Sequence, residues 1–164
     1  MASLADALPF VLRHEGGFSD DPDDRGGATN HGITEEVARL NGYTGDMRAL
    51  PMDVVGYIYR KDYWRFDAIT DQRVATKVFD LCVNFGLSGG VRLLQRALNI
   101  SGGLVTTDGV CGPATLAATN QADPSTLLDA LAMEATVRYH EIVAARPDQR
   151  KFLAGWLHRA GDLP

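Results

Sequence analysis

The chain has 164 residues, 45% of them hydrophobic and 23% charged, with a formal net charge of −5, which is the make-up of one soluble globular domain with enough chain to bury a core. An acidic balance without a long basic run argues against a nucleic-acid binder, and no apolar run is long enough to cross a bilayer. Two cysteines, Cys82 and Cys111, make no disulfide framework and read as free thiols, and His14, His31, His140 and His158 are scattered without metal-ligand spacing, so no metal or other cofactor is expected.

Helical periodicity runs through the chain. Leu4, Leu8, Val11 and Leu12 line one face of a first helix that ends near Gly16–Gly17. Residues 18–34 read as an irregular or hairpin-containing loop turning at Gly26–Gly27, and they bound any strand content. Thr34 is the N-cap of a short helix with Glu35 and Glu36 in its first turn, and Asn41–Gly42 stops it. Pro51 opens a helix carrying Val54, Val55, Ile58, Tyr59 and Tyr63. Residues 74–85 place Val74, Val78, Leu81, Cys82 and Phe85 on one apolar stripe. Gly86 closes that helix, and Ser88 opens the next through Leu93, Leu94, Ala97 and Leu98. Residues 101–112 are glycine-rich turns, and Pro113 takes the first position of a short helix. Asp123 caps a long helix begun by Pro124 and ended by Pro147, and a last helix passes Phe152, Leu153, Trp156 and Leu157.

The expected fold class is all-α, α+β at most. No linker appears, so residues 1–164 read as one domain, with one lobe to about residue 70 and a helical lobe over 71–164. The N-terminus lacks a basic start, and Asp6 and Pro9 interrupt its apolar stretch, so synthesis in the cytoplasm without a secretory signal is expected. Arg138, His140, Arg146, Arg150, Lys151, His158 and Arg159 read as a solvated basic face.

The segment from His14 to Thr34 carries the chemistry. Cutting a glycosidic bond needs a carboxylic acid that keeps its proton near neutral pH, hence a glutamate shielded from water. Glu15, between Val11–Leu12 and Phe18, has that setting. The opposite face of the sugar needs a negative charge or a base that activates water. Asp24 is the leading candidate, and Thr29 can orient that water. The plainer alternatives are a solvated helix-end glutamate and aspartates at Asp20, Asp21, Asp23 and Asp24 that form turns and caps. The acidic loop does not have EF-hand spacing. Asp80 and Asn84, four apart on one helix face, either line a cleft and bind an N-acetyl group or tie their helix to a neighbouring loop. Trp64 and Trp156 are candidate sugar platforms, with Trp156 following the core stripe of its helix.

Glu15–Gly16–Gly17–Phe18, Asp21–Pro22, Asp24, Gly26–Gly27–Ala28–Thr29–Asn30 and Gly32–Ile33–Thr34 together resemble the signature of glycoside hydrolase family 108. These are N-acetylmuramidases found among phage endolysins and secretion-associated muramidases of bacteria. Phe79–Asp80, Val83–Asn84–Phe85–Gly86, Leu94–Gln95–Arg96–Ala97–Leu98, Asp108–Gly109, Gly112–Pro113, Thr115–Leu116 and Gly155–Trp156–Leu157 with Arg159 resemble that family's C-terminal peptidoglycan-binding segment. Arg25 and His31 depart from the family pattern, which often has proline and an aromatic residue there.

The resemblance implies a lysozyme-like helical fold and hydrolysis of the β-1,4 bond between N-acetylmuramic acid and N-acetylglucosamine. It implies Glu15 as the catalytic glutamate, with Asp24 and Thr29 spaced as in phage-type lysozymes and inversion at the anomeric carbon. Asn30, His31, Asp80 and Asn84 are the candidate substrate contacts. The implied partner is a peptidoglycan glycan strand, met by a monomer acting at the cell wall, in the periplasm, after release or export. A non-catalytic peptidoglycan-binding module and a chitinase-like glycosidase are the alternatives.

Overall fold

The computed structural model describes residues 1–20 and 28–164. Among these, eight α-helices and one antiparallel ribbon form the fold: α1 (Leu4–Glu15), β1 (Thr29–Asn30), β2 (Ile33–Thr34), α2 (Glu35–Leu40), α3 (Met52–Asp62), α4 (Gln72–Phe85), α5 (Leu87–Ile100), α6 (Pro113–Gln121), α7 (Pro124–Ala145) and α8 (Leu153–Gly161). Short 3-10 turns lie at Met47–Ala49 and Pro147–Phe152. The fold is mostly α and lysozyme-like, with its strands inside the expected segment. Local chemistry sets the helix starts. The side chains of Ser3, Thr34, Asp71 and Asp123 accept hydrogen bonds from first-turn amides, which satisfies donors that a helix leaves orphaned.

Helix α4 is the centre. Residues 74–82 are all buried, Thr76, Lys77 and Asp80 included. The expected apolar stripe is therefore only part of its buried surface: α1, α5 and α7 pack around it and leave no solvated side. Helix α5 approaches α4 closely at Gly90, where an added Cβ would stand 2.5 Å from the backbone nitrogen of Cys82. Trp64 is buried edge-on to Phe66 and Phe79. Its indole belongs to the core and offers no platform to a sugar. Trp156 stacks on Tyr139 with centroids 5.2 Å apart and planes 18° apart. Cys82 and Cys111 are free thiols. Burial pushes the Cys82 thiol up, so it behaves as a small core residue.

Candidate active site

The ribbon pairs Thr29 with Thr34 and Asn30 with Ile33, so only His31 and Gly32 make the turn. Both have positive φ, 52° and 75°, the geometry that matches the twist of a two-residue hairpin. Glycine adopts it freely and histidine does not. The His31 backbone is held from outside: the Tyr59 hydroxyl on α3 donates to its carbonyl oxygen at 2.9 Å. Ser19 and Thr29 exchange two backbone hydrogen bonds of 2.8 Å, which adds a third strand-like contact beside the ribbon. Asp24, together with Asp21, Asp23, Arg25 and the turn expected at Gly26–Gly27, lies outside the described residues.

The hairpin turn presses on Glu15, the last residue of α1. A Cβ on Gly32 would stand 2.7 Å from Glu15 Oε2 and 2.8 Å from the Tyr59 hydroxyl. Glu15, Gly32, Thr34, Tyr59, Tyr63 and Val83 line a cleft of about 210 Å³. The Glu15 side chain is 19% exposed, reachable from the cleft yet largely shielded. Burial first, and the charge of Glu15 after it, push the Tyr59 hydroxyl up; burial, then Asp62 and Glu15, do the same to Tyr63. Both phenols stay neutral around pH 7.

The other side of Glu15 belongs to α8. Arg159 Nη2 donates to Glu15 Oε1 at 2.7 Å, and its Nε donates to Asp80 Oδ1 at 2.9 Å. Burial works against the charge of Arg159, but Asp80 first and Glu15 next outweigh it and raise its pKa. Beneath lies Lys77, fully buried, with Nζ 3.7 Å from Asp80 Oδ2. Lys77 donates to the carbonyls of Arg159 and Asp162 at 2.8 Å each. Asp162 in turn meets His14 Nε2 at 3.0 Å. Two cations and two carboxylates are thus paired in the interior, the condition for keeping buried charge.

The structure places Thr29, expected to orient the water, and the expected substrate contacts as follows. Thr29 is half-buried on β1. Asn30 is buried, its amide donating to the Met47 carbonyl at 2.7 Å. His31 sits at the hairpin turn. Asp80 is buried beneath Arg159, so it ties α4 to α8 instead of lining the cleft. Asn84 donates to the Tyr139 hydroxyl. Arg159, expected on a solvated face, is largely buried because two carboxylates draw it inward, while the rest of that basic cluster is exposed. The sequence reading gave no site role to Gly32, Tyr59, Lys77 or Arg159, although Gly32 and Arg159 stand in the motifs that carry the family resemblance. The available signal was Lys77 and Asp80 inside an apolar run, since buried charges need partners. Among the described residues no group of three or more His, Cys, Asp or Glu could hold a metal ion, and no helix is long and apolar enough to cross a membrane.

A helical, lysozyme-like domain whose first helix delivers a shielded glutamate to a cleft beside a small ribbon has the layout of a glycan hydrolase. Residues 8–86 match the family model Glycosyl hydrolase 108, and residues 89–161 match the model Predicted Peptidoglycan domain. The chain carries a glycosyl hydrolase 108 segment followed by a peptidoglycan-binding segment, and is a glycoside hydrolase acting on peptidoglycan. It is similar to the solved structure of Brucella abortus SagA, with a TM-score of 0.73 and 29% identity over 96% of this chain and 88% of that chain. No curated protein matches the chain. The two matched segments meet between α4 and α5, and their buried apolar residues form one continuous core.

Proposed function

We propose that this hydrolase is an N-acetylmuramidase that cuts the β-1,4 bond between N-acetylmuramic acid and N-acetylglucosamine, with Glu15 as general acid. The observation that carries this reading is the placement of Glu15: a helix-end carboxyl turned inward, bracketed by Arg159 and Gly32, at the edge of a cleft. Glu15 gives its proton to the bridging oxygen as the bond from that oxygen to the anomeric carbon breaks. Water forms the new bond to that carbon from the opposite face, and Asp24 takes the water's proton while the Thr29 hydroxyl orients it. With water as direct nucleophile the anomeric configuration inverts. The roles of Asp24 and Thr29 rest on their spacing from Glu15 in the sequence. Asn30 and Asn84 support the cleft through Met47 and Tyr139, and His31 shapes the hairpin over it. The cell wall is the place of action, with a monomer working in an endolysin-type role after release or export.

A turbidity assay on outer-membrane-stripped bacteria compares wild type with Glu15→Gln. Wild type clears the suspension, and the variant loses about 10²- to 10⁴-fold in rate, the range for removing a general acid. Equal clearing by both would remove Glu15 from the mechanism. Clearing by neither would leave a binding module.

A further inference from the structure

We propose that Arg159 is a positioning residue for Glu15: by occupying Oε1 it leaves Oε2, on the Gly32 and Tyr59 side, as the oxygen that carries the proton to the glycosidic bond. This rests on Glu15 being the general acid. A guanidinium has five donors and no acceptor, so a carboxyl oxygen bound to it cannot also present a proton there. Oε1 is in that position, 2.7 Å from Arg159 Nη2. Oε2 instead lies on the Gly32 side, 2.7 Å from where a Cβ on that glycine would stand, with the Tyr59 hydroxyl 2.8 Å from the same point. The Tyr59 hydroxyl hydrogen is committed to the His31 carbonyl, so it does not compete for Oε2.

Arg159 is itself fixed before substrate arrives. Its Nε and Nη2 lie 2.9 and 2.8 Å from Asp80 Oδ1, and Lys77 holds its backbone carbonyl at 2.8 Å. A group anchored at both ends loses little freedom when the reaction needs it, which is how pre-organisation lowers a barrier. Arg159 lies in the segment matching the peptidoglycan-domain model, and Glu15 in the segment matching the hydrolase model. The C-terminal segment therefore completes the reacting carboxyl as well as contributing to wall recognition.

Among the described residues, the charged and titratable groups around Glu15 are Arg159 from α8, Asp80 from α4 behind it, Asp62, Tyr59 and Tyr63 from α3 and Tyr139 from α7. His14 on α1 itself turns to Asp162. Among the described residues, Arg159 is the cation in direct contact with Glu15. Its removal takes away the charge that favours the ionised carboxylate.

The test is steady-state kinetics on soluble peptidoglycan fragments, with thermal melts, for wild type, Glu15→Gln, Arg159→Gln, Arg159→Lys and Asp80→Asn. In Arg159→Gln, kcat falls about 100-fold, the scale of a misplaced reacting group, while KM changes by less than about threefold. The alkaline limb of its pH–rate profile moves to higher pH, and Arg159→Lys, which keeps a cation at Oε1, regains part of kcat. A folded Arg159→Gln with wild-type kcat and an unmoved limb would overturn the proposal, as would a loss confined to KM. If Arg159→Gln does not fold, Asp80→Asn carries the test: a folded Asp80→Asn shows a lowered kcat, and wild-type kcat in it overturns the proposal. Failure of the general-acid reading is separate, because it appears as wild-type inactivity or as an active Glu15→Gln.

Discussion

The buried ammonium of Lys77 donates to the main-chain carbonyl of Arg159 at 2.8 Å. The same nitrogen holds the Asp162 carbonyl, so a side chain from α4 caps the C-terminal end of α8. Burial lowers the pKa of Lys77 against the pull of Asp80 and then Asp162.

Lys77→Met orphans two carbonyls and leaves Asp80 with one cation fewer. Breaking a buried pair in this way costs about 3–5 kcal/mol. Urea unfolding of the variant should show a midpoint lowered by a corresponding amount. A variant as stable as wild type would show that the capping contact contributes nothing.

Gly32→Ala places a methyl group where φ is +75° and where Glu15 Oε2 and the Tyr59 hydroxyl already stand. The backbone cost alone is about 1–2 kcal/mol. Displacing the carboxyl should cost about 100-fold in kcat. Wild-type kcat in a folded Gly32→Ala would mean that the hairpin does not set the position of Glu15.

Gly90→Ala separates stability from activity. The new methyl group meets the Cys82 backbone at 2.5–2.6 Å, and overpacking of this kind costs about 1–3 kcal/mol. The site lies elsewhere, so kcat measured below the melting transition should be unchanged. A lower kcat with an unchanged melt would place the coupling between α4 and α5 inside the mechanism.

Alkaline pH should weaken the fold. Tyr59, Tyr63 and Tyr139 all have pKa values raised above 10.0, burial being the first cause of each. Above pH 10 the native state retains protons that the unfolded chain releases, so stability falls as pH rises. Lys77, with a lowered pKa, has the opposite slope below 10.5, but it is one group against three phenols and the two thiols of Cys82 and Cys111, which burial also pushes up. Unfolding free energies from pH 9 to 11 should decline, and Tyr59→Phe should flatten the decline. A flat profile in wild type would contradict the burial of these phenols.

Three helix starts were legible in the sequence because their causes are local. Asp123 with Pro124, Pro113 and Thr34 each act within one turn. Glu15 was legible because a helix-end glutamate followed by paired glycines belongs to a family signature. The hairpin turn was less legible, since a glycine pair at 26–27 draws attention away from His31, a residue that rarely takes positive φ. Asp80 read as flanking the apolar stripe, and only packing on every side of α4 shows it and Lys77 buried. Arg159 lies 144 residues from Glu15 in sequence, and no local pattern reports a contact at that range.

Mass spectrometry of borohydride-reduced peptidoglycan digests tests the central claim most directly. Wild type should yield new reducing ends of N-acetylmuramic acid, and Glu15→Gln should yield none above background. New reducing ends of N-acetylglucosamine, or muramic ends released equally by the variant, would contradict it.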